Sequence, residues 1–474
     1  MHDTPNQKQN IILVTVDCWR GDHVGINNPT GPKTPHLDRF AKQGINFPNA
    51  YTCGGWTKIA MTALMSSTYG SMYGFAQGKM SDQRPLLAEI LQAQGYETAG
   101  FTTNPVCGTG GGFQRGFETF RDLRPGLKGK LLRYPRLDRI YTRLATSAKV
   151  RRALAQVGIG YLPINPTLLA DDVVQIGLDW LNQEHDQPYF LWLHFMDLHW
   201  PYFSADRRNT RKDREEIWQD RTAWQKVRKQ RGKGYPGDSR AERWRQLYKE
   251  EAEGLDTSLG VLFDAIDARA DRDNTNVILS GDHGEELYEH GSWAHSWNQL
   301  HKEGTNVPLI IRPAKSRSAQ SIERPVSHID LAPTILDMVN VPKPDLMEGD
   351  SLLPLASSAA DIMEKPIYSE MFGHHNSYIY RLSITYQGHK YIYDGDRDTC
   401  YLFDLKQDPD ALKDIYSHDH DLSLSFDKLR LSHVSKGLIT VLKSDAPILG
   451  GDISYDLDAD PKVVAQLRAL GYLD

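Results

Sequence analysis

The chain has 474 residues, 40% apolar and 24% charged, and a formal charge of -6. That balance is globular and mildly acidic, so nucleic acid is not expected as a partner, and the length calls for one large α/β core with insertions or for two to three domains. Cys18, Cys53, Cys107 and Cys400 are too scattered for a disulfide framework or a structural zinc motif. The polar start MHDTPNQKQN lacks a signal-peptide pattern and no apolar run is long enough for a bilayer span, which predicts a cytoplasmic protein.

In chain order, short apolar runs predict strands at IILVTVD (11–17), ETAGFTT (97–103), YFLWLHF (189–195), NVILSG (276–281) and VPLIIR (307–312), with helical patterns between them. Continuous apolar strands alternating with helices indicate a mostly parallel sheet covered on both faces. Pro85 to Gly95 reads as a helix with proline near its start and a C-terminal glycine. Residues 121–160 carry eleven Lys/Arg against Asp122 and Asp138, and residues 205–250 are charged and rich in Arg and Trp. Both read as solvated helical insertions, with a lid over an anionic substrate or a homo-oligomer contact as the alternatives. From about residue 376 the pattern becomes an antiparallel meander, followed by a final helix ending ALGYLD. The division expected is a catalytic domain over 1–375 and a C-terminal α+β subdomain over 376–474.

Ligands of such sheets sit beyond the carboxyl ends of strands, where this sequence concentrates its chemistry. NVILSGDHGEELYEHG ends a buried strand in Asp282 and His283, a pair able to bind one divalent ion, with Gly284 allowing a tight turn. IILVTVD delivers Asp17 to the same edge, where two carboxylates and an imidazole call for a compensating cation. After YFLWLHF, His194 reads as a hydrogen-bonded core residue. His199, beyond the strand end, reads as a donor to substrate oxygen or an acid for a leaving group. TCGGWTKIAM offers two nucleophiles, Cys53 and Thr57.

These pieces, with TPHLDRFAKQGINFPNAY, GYETAGFTTNP, GFQRGFETF, FMDLHWPY, NVPLII, HIDLAPTILDMVNV, DLMEGDSLLPL and LFDLKQDPD, resemble the sulfatase family of the alkaline phosphatase superfamily from near residue 10 to the C-terminus. The resemblance implies a sulfatase-like sandwich, a large mostly parallel sheet flanked by helices with a small antiparallel C-terminal sheet. It also implies one divalent ion, Mn²⁺, Mg²⁺ or Ca²⁺ with Zn²⁺ as a further candidate, held by Asp17, Thr57, Asp282 and His283. His199 and His295 fall on substrate-contacting or proton-donating positions, and His290, on the histidine of a GEHG-like loop, is expected to bind substrate, as is Asn104. The lysine that many sulfatases carry after the GY-T strand is missing, and Thr103 or Asn104 stands near its place.

Sulfatases place a Cys or Ser in a C/S-x-P-x-R signature that is oxidised to formylglycine. The flanks put Thr57 in that slot, with Ile59 and Met61 where proline and arginine belong, and leave Cys53 four residues early. Threonine cannot become formylglycine. The resemblance therefore implies in-line attack by Thr57 on a phosphate diester, phosphonate ester or phosphate ester, the small anionic ester being the expected partner. The alternatives are a sulfate-ester hydrolase without formylglycine, a transferase passing the group to a second alcohol, and a catalytically degenerate metal-binding or scaffold protein.

Overall fold

The computed structural model describes residues 8–73, 80–123, 168–200, 202, 219–220, 223–224, 226–227, 229–230, 234–295, 300–315, 318–357, 363–372 and 380–443. The expected basic insertion, apart from residues 121–123, and the expected terminal helix lie outside them. An eight-stranded sheet organises the chain, in the order Gln320–Ser321, Ile45–Asn46, Leu309–Arg312, Thr275–Gly281, Asn10–Val16, Tyr189–Phe195, Glu97–Thr102, Thr119–Asp122. Four of these strands carry the site and are called β1 (Asn10–Val16), β2 (Glu97–Thr102), β3 (Tyr189–Phe195) and β4 (Thr275–Gly281).

β1 pairs in parallel with β3 on one side and β4 on the other. All seven of its residues are buried, and they alternate between two cores. Ile12, Val14 and Val16 pack with Leu37, Val173 and Leu255 on one face, while Ile11 and Leu13 pack with Leu64, Leu91 and Leu336 on the other. A strand buried on both faces needs apolar residues at every position, which is why IILV reads as a run and not as an alternation. Each fully buried Ile, Leu or Val contributes about 1.5–3 kcal/mol, so this central strand anchors both layers.

VPLIIR divides at Pro308, which has no N–H to give to a ladder. Asn306–Val307 pairs with Ala50–Tyr51, and Leu309–Arg312 enters the main sheet antiparallel to β4. The helix expected over 85–95 runs Leu87–Ala93, and Gly95 follows at φ +80°, the left-handed conformation that ends a helix without Cβ strain. Part of the charged segment 205–250 is not solvated. Asp238–Ala268 is a helix, α2 after the site helix α1 (Thr57–Ser66), and its Trp244, Tyr248 and Leu255 are fully buried against the sheet.

A separate antiparallel sheet joins Ile367–Phe372, Tyr380–Tyr386, His389–Asp394 and Thr399–Asp404 in sequence order. Its first strand precedes the expected start of the meander. Gln387 and Gly388, at φ +48° and +75°, form the tight turn between its middle strands. The first strand meets the main body at the loop before α1: Glu370 N–H donates to the Cys53 carbonyl at 2.9 Å, and Ser369 Oγ to the Thr52 carbonyl at 2.6 Å.

Candidate active site

The backbone that closes the sheet edge sets the position of the two acids. Asp17 N–H donates to the Phe195 carbonyl and Asp282 N–H to the Val16 carbonyl, each at 2.9 Å, so both residues leave parallel strands at one level. Asp282 Oδ1 accepts from the N–H groups of Cys18 (3.0 Å) and His283 (2.6 Å), which fixes the carboxylate and directs Oδ2 away from the backbone. Gly284 then passes close beneath the Glu303 carbonyl, where a Cβ would lie 1.9 Å from its oxygen. No other residue fits that passage without backbone movement.

Thr57 opens α1 as its first helical residue, and all ten residues of that helix are buried. Its Oγ1 lies 3.2 Å from Asp17 Oδ2 and 3.2 Å from His283 Nε2. His283 Nε2 lies 3.6 Å from both Asp17 Oδ1 and Asp282 Oδ2. Asn104, at the end of β2, donates through Nδ2 to Asp17 Oδ2 at 2.5 Å, and that nitrogen is 3.4 Å from Thr57 Oγ1. The four residues expected at the ion, Asp17, Thr57, Asp282 and His283, and Asn104 thus form one buried cluster at the sheet edge.

His199 and His295 complete a ring of imidazoles. Their centroids are 5.2 Å apart, and His295 is 4.6 Å from His283. The His199 Nδ1 donates to the Trp200 carbonyl at 2.7 Å, which fixes the orientation of the ring. His295 Nδ1 is backed by Glu285 at 3.3 Å. His290 is placed apart: it pairs with Glu303 at 3.1 Å and stacks on His301 at 3.6 Å, outside the ring around Asp17.

Three further residues enter the cluster. His194, expected as a core histidine, has that core bond, Nδ1 to Thr15 Oγ1 at 2.8 Å, yet presents Nε2 at 3.9 Å from Asp17 Oδ2. Cys18 Sγ lies 3.0 Å from Asp17 Oδ1. Glu285, two residues past His283, is fully buried, and burial pushes its carboxyl up to about 7. Adjacency to Asp17 and His283 was the available signal for the last two; the inward turn of His194 had none.

The electrostatics favour a cation. Burial and then the charge of Asp17 push Asp282 well above the carboxylate range, because two buried carboxylates this close oppose each other's ionisation. For Asp17 itself burial acts upward, but the surrounding imidazoles, led by His199 and His283, hold it below that range. Burial lowers His194, His283 and His295 to about 4, so each is a neutral imidazole near pH 7, with a lone pair to offer a metal. Asp282 Oδ2 and His194 Nε2 are buried with no hydrogen-bond partner. Such groups cost about 1–3 kcal/mol unless something else satisfies them. The donor set fits a divalent ion.

Cys53 sits elsewhere. It is fully buried with Sγ 3.4 Å from Ser327 Oγ, and burial raises its thiol to about 12. A thiol so placed packs against Ser327, apart from the acids and imidazoles at the sheet edge.

Sheet, edge and cluster define an ester hydrolase of the alkaline phosphatase superfamily. The chain belongs to the sulfatase family, whose model, described as Sulfatase, matches residues 9–341; a second model, N-sulphoglucosamine sulphohydrolase, C-terminal, matches 288–432. It is similar to the Ulvan-active sulfatase of Formosa agariphila, 23% identical over 355 residues, which cover 73% of this chain and 65% of that protein. The arylsulfatase of Clostridium perfringens is 24% identical over 480 residues, 92% of this chain and 95% of that one. The phosphonate monoester hydrolase of Agrobacterium radiobacter has the same fold, with a TM-score of 0.65 and 19% identity over 92% of this chain and 96% of that one. Sulfatase-family enzymes depend on a metal, and among the described residues no helix is long and apolar enough to cross a membrane.

Proposed function

We propose that the protein is a metal-dependent hydrolase of phosphorus esters, phosphodiesters, phosphonate esters or phosphate esters, with Thr57 as nucleophile. The observation that carries this reading is the equal 3.2 Å spacing of Thr57 Oγ1 from Asp17 Oδ2 and His283 Nε2 at a helix N-terminus. Asp17, Thr57, Asp282 and His283 would hold the ion. When bound, it lowers the pKa of the hydroxyl and neutralises charge on the ester oxygens.

The Thr57 hydroxyl releases its proton to solvent, and Oγ1 forms the new bond to phosphorus as the bond to the leaving alcohol breaks, giving a threonyl ester. The α1 N-terminus adds partial positive charge where the anion sits. Asn104 holds Asp17 Oδ2 in place by its 2.5 Å hydrogen bond. The neutral His295 passes the proton of its Nε2–H to the leaving oxygen as the Glu285 carboxyl, raised to about 7 by burial, gives its own to Nδ1 at 3.3 Å, and His199 Nε2 contacts a non-bridging oxygen. A well-placed acid of this kind contributes roughly 10²–10⁴-fold. Water then attacks the phosphorus of the threonyl ester, the Oγ1–P bond breaks, and a proton from that water returns to Thr57 Oγ1. That route suits threonine because it needs no C–O cleavage on the enzyme side.

The family match and the arylsulfatase relative favour a second reading, sulfate-ester hydrolysis by the same residues without formylglycine. Turnover of aryl phosphodiester, aryl phosphonate and aryl sulfate by the wild type and Thr57→Ala, with metal present, separates the two. Phosphorus-ester turnover that Thr57→Ala abolishes supports the first. Turnover of the sulfate alone establishes the second, and activity untouched by Thr57→Ala removes Thr57 from the mechanism.

A further inference from the structure

Cys18 is held in an uncommon backbone state. Its φ is +60°, its N–H donates to Asp282 Oδ1 at 3.0 Å, and its carbonyl accepts from Tyr248 Oη at 2.5 Å. The side chain is fully buried and turned into the acid and histidine cluster. Its sulfur and one ring nitrogen each of His283 and His295 lie within 4.8 Å of one another, and Cys18 forms a second such group with Asp17 and His199.

Donor atoms around a four-coordinate ion at ordinary bond lengths are separated by about 3.3–3.8 Å. Cys18 Sγ is 3.0 Å from Asp17 Oδ1, and that oxygen is 3.6 Å from His283 Nε2. Asp282 Oδ2, fully buried and without a hydrogen bond, stands 3.6 Å from the same nitrogen. The two 3.6 Å separations fall within that range, and the 3.0 Å one, a hydrogen bond from the protonated thiol to Asp17 Oδ1, is shorter than it.

We propose that Cys18 is a thiolate ligand of the ion held by Asp17, Asp282 and His283, and that it tunes the site to a borderline-soft cation, Zn²⁺ or Co²⁺, over Mg²⁺ or Ca²⁺. The inference rests on the metal-dependent reading above and adds a ligand to it. An all-oxygen and imidazole set suits hard or borderline ions alike; one sulfur donor shifts the preference, since thiolate binds zinc and cobalt far better than magnesium or calcium. On binding, the Sγ–H bond breaks, the sulfur–metal bond forms, and the proton leaves to solvent.

Cobalt reports on sulfur ligation directly. Apo protein loaded with Co²⁺ is expected to show a near-ultraviolet thiolate-to-cobalt charge-transfer band, scaled to bound cobalt by elemental analysis. The band is expected to vanish in Cys18→Ser with cobalt still bound, and to survive in Cys53→Ser. Cys18→Gly is the second variant, because the left-handed backbone suits glycine. Zinc affinity relative to manganese is expected to drop by at least the roughly 10–100-fold that loss of an outer-shell partner costs. Stoichiometric cobalt without the band, or a band that persists in Cys18→Ser and Cys18→Gly, overturns the Cys18 ligand alone. A wild type that binds no cobalt, zinc or manganese overturns the ion site and this ligand together.

Discussion

Thr57 Oγ1 and Asp17 Oδ2 stand 3.2 Å apart at the sheet edge, one from the first turn of α1 and the other from the end of β1. Removing the hydroxyl is expected to lower turnover by roughly 10⁴–10⁶-fold, the range for loss of a nucleophile that acts as part of a unit. Thr57→Ser keeps the oxygen and is expected to retain measurable turnover. Steady-state kinetics on the best ester checks both; equal activity in Thr57→Ala and wild type defeats the assignment.

Asp282 gives a prediction of sign as well as size. Its carboxyl is raised by burial and by Asp17, so in the metal-free protein the folded state holds a proton that the unfolded chain releases above the ordinary value of 3.8. Metal-free stability should therefore fall as pH rises through that value toward neutrality. Asp282→Asn keeps an Oδ1 acceptor for the N–H groups of Cys18 and His283 and removes the repulsion. Its metal content is expected to collapse while its metal-free stability exceeds that of the wild type by at least about 1 kcal/mol. Elemental analysis and urea unfolding at neutral pH read the two effects. Asp282→Ala is expected to lose metal without that gain.

The His290–Glu303 pair, lying apart from the ring, is expected to act through stability. Burial lowers His290, but the Glu303 hydrogen bond and charge raise it overall; burial raises Glu303, but the His290 bond and then the Arg20 charge lower it overall. The raised histidine stabilises fully below its ordinary 6.5 and loses this as pH rises through its folded pKa. The lowered glutamate stabilises fully above its ordinary 4.5 and loses this as pH falls. The window is about pH 5 to 6.5. Glu303→Gln is expected to cost about 1–2 kcal/mol near pH 6 and much less near pH 9, read from denaturant curves at both.

Ser369 couples the small sheet to the nucleophile loop through its bond to the Thr52 carbonyl. Ser369→Ala leaves that buried carbonyl without its hydroxyl donor, at a cost of about 1–2 kcal/mol in unfolding free energy. A few-fold drop in kcat with little change in KM is expected if the loop positions Thr57. An unchanged kcat at reduced stability would confine Ser369 to structure.

Cys53→Ser is expected to leave turnover within about twofold of the wild type, because the thiol is buried against Ser327 and away from Asp17. Loss of activity without loss of fold would return Cys53 to the chemistry.

The sequence by itself determined the parallel core and the family, because doubly buried strands must be apolar throughout and because the strand-end acids Asp17 and Asp282 interrupt that pattern. It also offered Thr57 over Cys53 as the nucleophile, by position within a long motif and not by intrinsic reactivity. Tertiary structure alone decided which neighbours reach the same point. His194 looks like a core residue along the chain because one ring nitrogen does bond the core, to Thr15 Oγ1; only the packing of β3 beside β1 aims the other at Asp17. His290 and His295 lie in one short segment, yet the turn at Gly291, φ +76°, and the Glu286–Leu287 with Trp293–Ala294 hairpin send them to different partners. Cys18 is one residue from Asp17 in sequence, and its direction follows from a left-handed φ that no local pattern prescribes. Strand periodicity fixes which residues are buried, but the facing of single side chains past a strand end depends on backbone angles and on elements hundreds of residues away.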